Sequence, residues 1–146
     1  MRTLKTWCLG LLLVTLCVVT NAQATEDKSM GLFINLTTSQ TATAGHAMHF
    51  ASNMLERGHP VAFFLNHQAV AYATANAPDE PFGDSGPTVA DMLADLMARG
   101  AKMIVCRLCI KMQGIDPQSL VEGAMLGNPE LVSEYLFDPS YQVISW

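Results

Sequence analysis

The chain has 146 residues, with 8 Lys and Arg against 13 Asp and Glu, and 50% of its residues are hydrophobic. A chain of this length forms one domain and buries roughly two thirds of its unfolded surface without needing a disulfide. The acidic balance and the lack of a basic stripe exclude recognition of a nucleic-acid backbone, because phosphates would be repelled.

The first residues carry a targeting pattern. Arg2 and Lys5 precede the apolar run WCLGLLLVTLCVV, and Ala22-Gln23-Ala24 supplies the small-x-small ending of a secretory signal. Cleavage is expected after Ala24, which makes residues 1–24 a signal peptide and residues 25–146 the mature domain, periplasmic or secreted. The apolar run is shorter than the roughly 18 to 20 residues of a membrane span, and no second candidate follows, so no stable membrane insertion is expected. Leu16 stands where a lipoprotein would need a small residue before Cys17. Loss of Arg2 and Lys5 leaves six basic against 13 acidic side chains, a formal charge of −7.

In chain order, Met30 to Leu36 is an apolar run without helical period and predicts a buried strand. The hydroxyl-rich stretch TTSQTATAG, residues 37–45, predicts a loop, and residues 46–58 a helix closed by Gly58. PVAFFLN, residues 60–66, reads as a second strand, and residues 67–76 as a short helix. Residues 77–87 have the Pro, Gly and acidic content of an exposed loop, with Asp79, Glu80 and Asp84 as solvated surface or an oligomer rim. An amphipathic helix follows, capped by Thr88, with Val89, Met92, Leu93 and Leu96 inward and Gly100 at its end. KMIVC is the third strand. DPQSLVEGAML and NPELVSEYLF predict helices opened by Asp116-Pro117 and Asn128-Pro129, and YQVISW a terminal strand. This alternation predicts an α/β fold, a small parallel sheet with helices on both faces, whose chemistry gathers at the carboxyl ends of the strands.

Two features fall at those ends. Cys106 and Cys109 form a C-x-x-C pair leaving the third strand, a spacing that chance gives in roughly one arrangement in sixty. The pair is open to three readings: reactive thiols, a structural disulfide, or part of a metal clip. A ring so small removes little entropy from the unfolded chain. Zinc needs about four ligands, whereas the four histidines are scattered away from the two thiols, so no metal or other cofactor is expected. A reactive site is favoured by Arg107, Lys111 and the amides of a following helix, all of which lower a thiol pKa. The second feature is the loop beginning Thr37, Thr38 and Ser39, whose amides suit an anion but which lacks the Lys of a phosphate loop. His46, Met48 and His49 do not share one helical face, which argues against copper, and the remaining methionines read as core packing.

The stretches GLFINLTTSQTATAGHAMHFASNMLERGHPVAFFLNHQAV, MLADLMARGAKMIVCRLCIKMQGI and LVEGAMLGNPELVSEYL together resemble the DsrE/DsrF-like sulfur-relay family, especially its YchN-like branch. The shared pattern is a strand ending in Cys, often a second Cys three residues on, and a Gly eight residues after the first; Cys106, Cys109 and Gly114 fit it. The resemblance implies a flavodoxin-like relative as the fold and a trimer or hexamer as the assembly. It also implies a persulfide on Cys106, with Cys109 as resolving or supporting thiol and a thiol or sulfur-carrier protein as partner. Many members carry Arg before the Gly, where this chain has Gln113, and the familiar relay partners are cytoplasmic, whereas this chain carries an export signal. The alternative from another class is a non-catalytic oligomeric binding module with a permanent Cys106–Cys109 disulfide.

Overall fold

The computed structural model describes residues 30–146, so the expected signal peptide lies outside the described residues. Five strands, β1 (Gly31–Leu36), β2 (Val61–Leu65), β3 (Lys102–Cys106), β4 (Ala124–Gly127) and β5 (Tyr141–Ser145), form one sheet in the order β4-β3-β2-β1-β5. Every pair in it is parallel. Four helices, α1 (Thr41–Glu56), α2 (Val89–Ala98), α3 (Arg107–Met112) and α4 (Pro129–Leu136), join them, with a 3-10 segment over His67–Ala73.

Strand side chains alternate between two cores. Leu32, Ile34 and Leu36 of β1, Phe63 of β2 and Met103 and Val105 of β3 face α1, α2 and the 3-10 segment, where Ala44, Ala47, Met48, Leu93 and Leu96 meet them. On the other face Phe33, Ala62 and Ile104 are buried beneath Leu131, Val132 and Tyr135 of α4. The first core is the larger and carries most of the hydrophobic stabilisation, at about 1.5–3 kcal/mol for each fully buried large side chain. The helix ends follow one rule. Gly58, Gly100 and Gly114, at φ of 86°, 101° and 68°, adopt the left-handed conformation after α1, α2 and α3. In each case the next amide reaches back to the helix, as His59 to Met54, Ala101 to Leu96 and Ile115 to Ile110.

Thr88 caps α2 as expected, with Asp91 completing a capping box, and Asn128 caps α4 through the amide of Leu131. Two sequence expectations are corrected. Helix α1 starts at Thr41 rather than His46, so the loop after β1 is only residues 37–40. Burial of Thr41, Ala44 and Gly45 extends the helix over a stretch whose Thr and Gly residues have weak intrinsic preference for it. Residues 116–126 are not a helix: a single 3-10 turn at Pro117–Ser119 gives way to β4. There Ala124, Met125 and Leu126 pair with Met103, Ile104 and Val105, and the ladder offered by β3 overrides local helix propensity.

The loop of residues 77–87 is largely exposed, Asp79, Glu80 and Asp84 included, but it packs back on α1 at two points. Glu80 accepts a hydrogen bond from the buried Thr41 hydroxyl, and the Phe82 ring lies on α1 at Gly45, 5.5 Å from His46 and 5.2 Å from His49 between ring centres. A Cβ at position 45 would overlap that ring. Gly45→Ala is therefore expected to cost about 1–3 kcal/mol by overpacking. In a Phe82→Ala background the same change is expected to be neutral or to stabilise by up to about 1 kcal/mol, because alanine is the better helix former. Thermal unfolding of the four proteins of this cycle measures it, and an equal effect in both backgrounds would refute the contact.

Candidate functional site

Strand β3 passes into α3 without a loop, so Cys106 is at once the last residue of the strand and the cap of the helix. Its backbone is extended, at φ −60° and ψ 109°, and its Sγ accepts a hydrogen bond from the Cys109 amide at 3.2 Å. Ser, Thr, Asp or Asn usually fills this place, accepting from an amide two or three residues on. Here a sulfur does so. The C-x-x-C spacing is thus the spacing from a helix cap to the third residue of its first turn.

Cys109 is held from a different element. The backbone amide of His67, just beyond β2, donates to Cys109 Sγ at 3.2 Å. His67 is the only non-glycine residue at positive φ among the described residues, at 49°, a conformation that costs an L-residue roughly 1–2 kcal/mol. Gln113, one turn after Cys109, donates its side-chain amide to the His67 carbonyl at 2.6 Å. The left-handed turn therefore has a sulfur on its N–H and an amide on its C=O. Both thiols are free.

Beside Cys106 the chain opens. Cys106 of β3 is in register with Gly127 of β4, yet the two strands lead to opposite faces: α3 buries Ile110 in the larger core, while α4 lays Leu131 and Val132 on the smaller one. Divergence of neighbouring connections at the carboxyl edge creates a crevice in open α/β sheets. Here it is a cleft of about 500 Å³ lined by Phe64, Cys106, Arg107, Leu108, Lys111, Gly127, Asn128, Pro129 and Val132. That volume lies within the range of small-molecule sites.

The electrostatic balance at Cys106 opposes the sequence expectation. Burial pushes its thiol above the ordinary value, and the neighbouring Cys109 thiol adds to this as a hydrogen-bond partner and as a like charge on ionisation; the Cys109 and Leu108 amides pull the other way and lose. Arg107 and Lys111 line the same cleft but take no part in that balance. Gly114 is away from the cleft and acts as the left-handed terminator of α3. Thr37, Thr38 and Ser39 follow β1, two strands from Cys106, and their hydroxyls are committed within the fold. Thr37 donates to the Trp146 carbonyl at 2.8 Å, Thr38 accepts from the Gln40 amide at 3.0 Å, and Ser39 faces Gln68 at 3.5 Å. The buried Tyr72 hydroxyl also binds the Ser39 carbonyl at 2.7 Å. Among the described residues no group of three or more His, Cys, Asp or Glu side chains could hold a metal, and no helix is long and apolar enough to cross a membrane. His67 and Gln113 escaped the sequence reading: a left-handed histidine has no local signature, and Gln113 reads only as a missing Arg.

A five-stranded parallel α/β domain, with a C-x-x-C pair where β3 enters α3 beside a crevice, is the class of fold these residues define. A model of the DsrE/DsrF-like family matches residues 16–146, and the chain belongs to that family. Among solved structures, the YchN protein of E. coli superposes with a TM-score of 0.66 at 16% identity, covering 80% of this chain and 100% of that one. The protein of unknown function MTH1491 from Methanobacterium thermoautotrophicum superposes with a TM-score of 0.65 at 10% identity, covering 80% of this chain and 99% of that one. No curated protein sequence matches the chain.

A raised thiol pKa means that Cys106 is mostly protonated at neutral pH, so its alkylation by iodoacetamide is expected to accelerate with pH through a midpoint above that of an unperturbed cysteine. Cys109→Ser removes the neighbouring thiol and should move that midpoint down; a midpoint below the ordinary range in the parent would contradict the burial argument. The linked stability has a definite sign: with the folded pKa raised, the contribution is fully present below the unfolded value and is lost as pH rises through the folded one. For the bridge, Gln113→Leu is expected to leave the His67 carbonyl unpartnered and to speed exchange of the His67 amide with deuterium about tenfold or more, the loss of one hydrogen bond. Unchanged protection would show that Gln113 does not hold the turn.

Proposed function

We propose that this DsrE/DsrF-like protein is an exported sulfur handler that takes sulfane sulfur onto Cys106. The observation that carries the reading is the placing of Cys106 Sγ at the cleft with Cys109 one helical turn away. In the first step the Cys106 thiolate attacks the sulfane sulfur of a donor, the donor's bond to that sulfur breaks, and Cys106 holds a persulfide. Two discharges follow from the geometry. An acceptor thiolate on a partner protein takes the outer sulfur and returns Cys106 as thiolate, which is a relay. Alternatively the Cys109 thiolate attacks Cys106 Sγ, hydrosulfide leaves with the electron pair, and a Cys106–Cys109 disulfide remains for an external dithiol to reduce. The His67 amide, donating to Cys109 Sγ, holds in place the sulfur that makes this attack.

Export is supported by the pattern of residues 1–24. Self-association as a trimer or hexamer is supported by the apolar side chains left on the surface near the smaller core and α3, with Leu108 64%, Met112 78% and Phe137 78% exposed.

Intact-mass spectrometry of the mature protein, purified without reductant and then exposed to a sulfane donor, tests the reading. A mass gain of one sulfur atom that requires Cys106, and that accumulates further in Cys109→Ser, is expected; native spectra of the same sample should show the trimer or hexamer. A closed disulfide that neither donor nor mild reductant alters would overturn it and leave a non-catalytic oligomeric module.

A further inference from the structure

The walls of the cleft say more about the donor than the thiols do. Phe64, Leu108, Pro129 and Val132 make the cleft mainly apolar, whereas an inorganic sulfane anion is strongly hydrated and gains nothing from such walls. Gly127 lines the cleft in register with Cys106, and a Cβ there would press on the Ile104 side chain at 2.9 Å and the Val105 carbonyl at 3.1 Å. The cations are the second observation. Arg107 and Lys111 line the same cleft, and the only ion pairs among the described residues are those Arg99 makes with Glu56 and Asp95. In a chain with an acidic excess, two cations without carboxylate partners beside a half-buried thiol are complementary to an anionic ligand.

We infer that the cleft seats an anionic organic sulfane donor of the thiosulfonate type, its apolar body against Phe64, Leu108 and Val132 and its charged head toward Arg107 and Lys111. The inference rests on the reading of Cys106 as sulfur acceptor and names its substrate class. The step balances without a further reagent. The Cys106 thiolate attacks the outer sulfur of R–SO2–S⁻, a bond forms between the two sulfurs, and the donor's S–S bond breaks with its electron pair leaving on the sulfinate R–SO2⁻. Cys106 sulfur is oxidised to the persulfide level, the sulfonyl sulfur is reduced to sulfinate, and two negative charges stand on each side of the equation. Arg107 and Lys111, which line the same cleft, supply the positive charge that would stabilise the departing sulfinate.

The test compares three donors that deliver the same outer sulfur with different bodies: thiosulfate, methanethiosulfonate and benzenethiosulfonate. Sulfur loading of the mature protein is followed by intact mass, and each rate is divided by the rate at which the same donor loads free cysteine. The normalised rate for benzenethiosulfonate is expected to exceed that for methanethiosulfonate by roughly tenfold or more, the discrimination that a few buried carbons give in an apolar pocket. Val132→Trp fills the seat from α4 and should bring the ratio near one. Leu108→Glu, at a position 64% exposed where the fold tolerates a change, places a carboxylate at the cleft and should lower the ratio even if the Trp variant does not fold. Arg107→Gln and Lys111→Gln should raise the KM for both organic donors and flatten its dependence on salt. Normalised rates that are equal for the three donors in the parent protein would overturn the inference while leaving sulfur loading intact. Failure of all three donors to load Cys106 would instead overturn the sulfur reading itself.

Discussion

A parallel sheet must send each strand into a crossover, and the whole arrangement of this protein depends on where two neighbouring crossovers part. Cys106 and Gly127 are register partners on neighbouring strands, but α3 is drawn to one core by Ile110 and α4 to the other by Leu131 and Val132. Nothing can fill the gap between two backbones that leave a common edge in opposite directions. The cleft is the consequence, and the last residue of β3 faces it because no loop separates that strand from its helix. The glycine opposite leaves no room for a side chain, since a Cβ there would meet Ile104 and the backbone of Val105.

The two sulfurs share a motif but not an environment. Cys106 accepts an amide of its own helix, and Cys109 accepts one from the turn after β2, so one thiol reports on α3 alone and the other ties α3 to the neighbouring strand end. Burial and the second thiol outweigh the amides at Cys106, which keeps it protonated near neutrality. A thiol with a higher pKa is the stronger nucleophile once ionised, so such a site gives up resting thiolate for intrinsic reactivity. The left-handed His67 is the cost of bringing its amide to Cys109, offset by the Gln113 bond at its carbonyl. Gln113 thus has a role that a charge at the same position would fill differently: it fixes a turn instead of stabilising an anion.

Much of this was legible in order. The strands of β1, β2 and β3 are continuous apolar runs because both of their faces are covered, and the helix boundaries at Gly58, Thr88, Gly100 and Asn128 are set by local chemistry that operates within a few residues. The C-x-x-C pair and its place at a strand end were legible for the same reason. The start of α1 and the identity of β4 were not. Residues 41–45 become helical because Thr41 and Gly45 pack against the loop that carries Glu80 and Phe82 while Ala44 enters the larger core, and residues 124–127 become a strand because β3 offers an unpaired edge. Both decisions depend on partners far away in the chain.

By itself, then, the sequence determined the alternation of elements, the parallel sheet with helices on both faces, and the nomination of Cys106, Cys109, Arg107 and Lys111, since periodicity, caps and motif spacing are local properties. Only the tertiary structure decided that the loop of Thr37, Thr38 and Ser39 is committed to the fold, that Arg107 and Lys111 border a cleft without setting the Cys106 pKa, and that His67 and Gln113 hold the second thiol. Those are relations between residues up to 109 positions apart, and burial and hydrogen bonding across such distances exist only once the sheet has assembled.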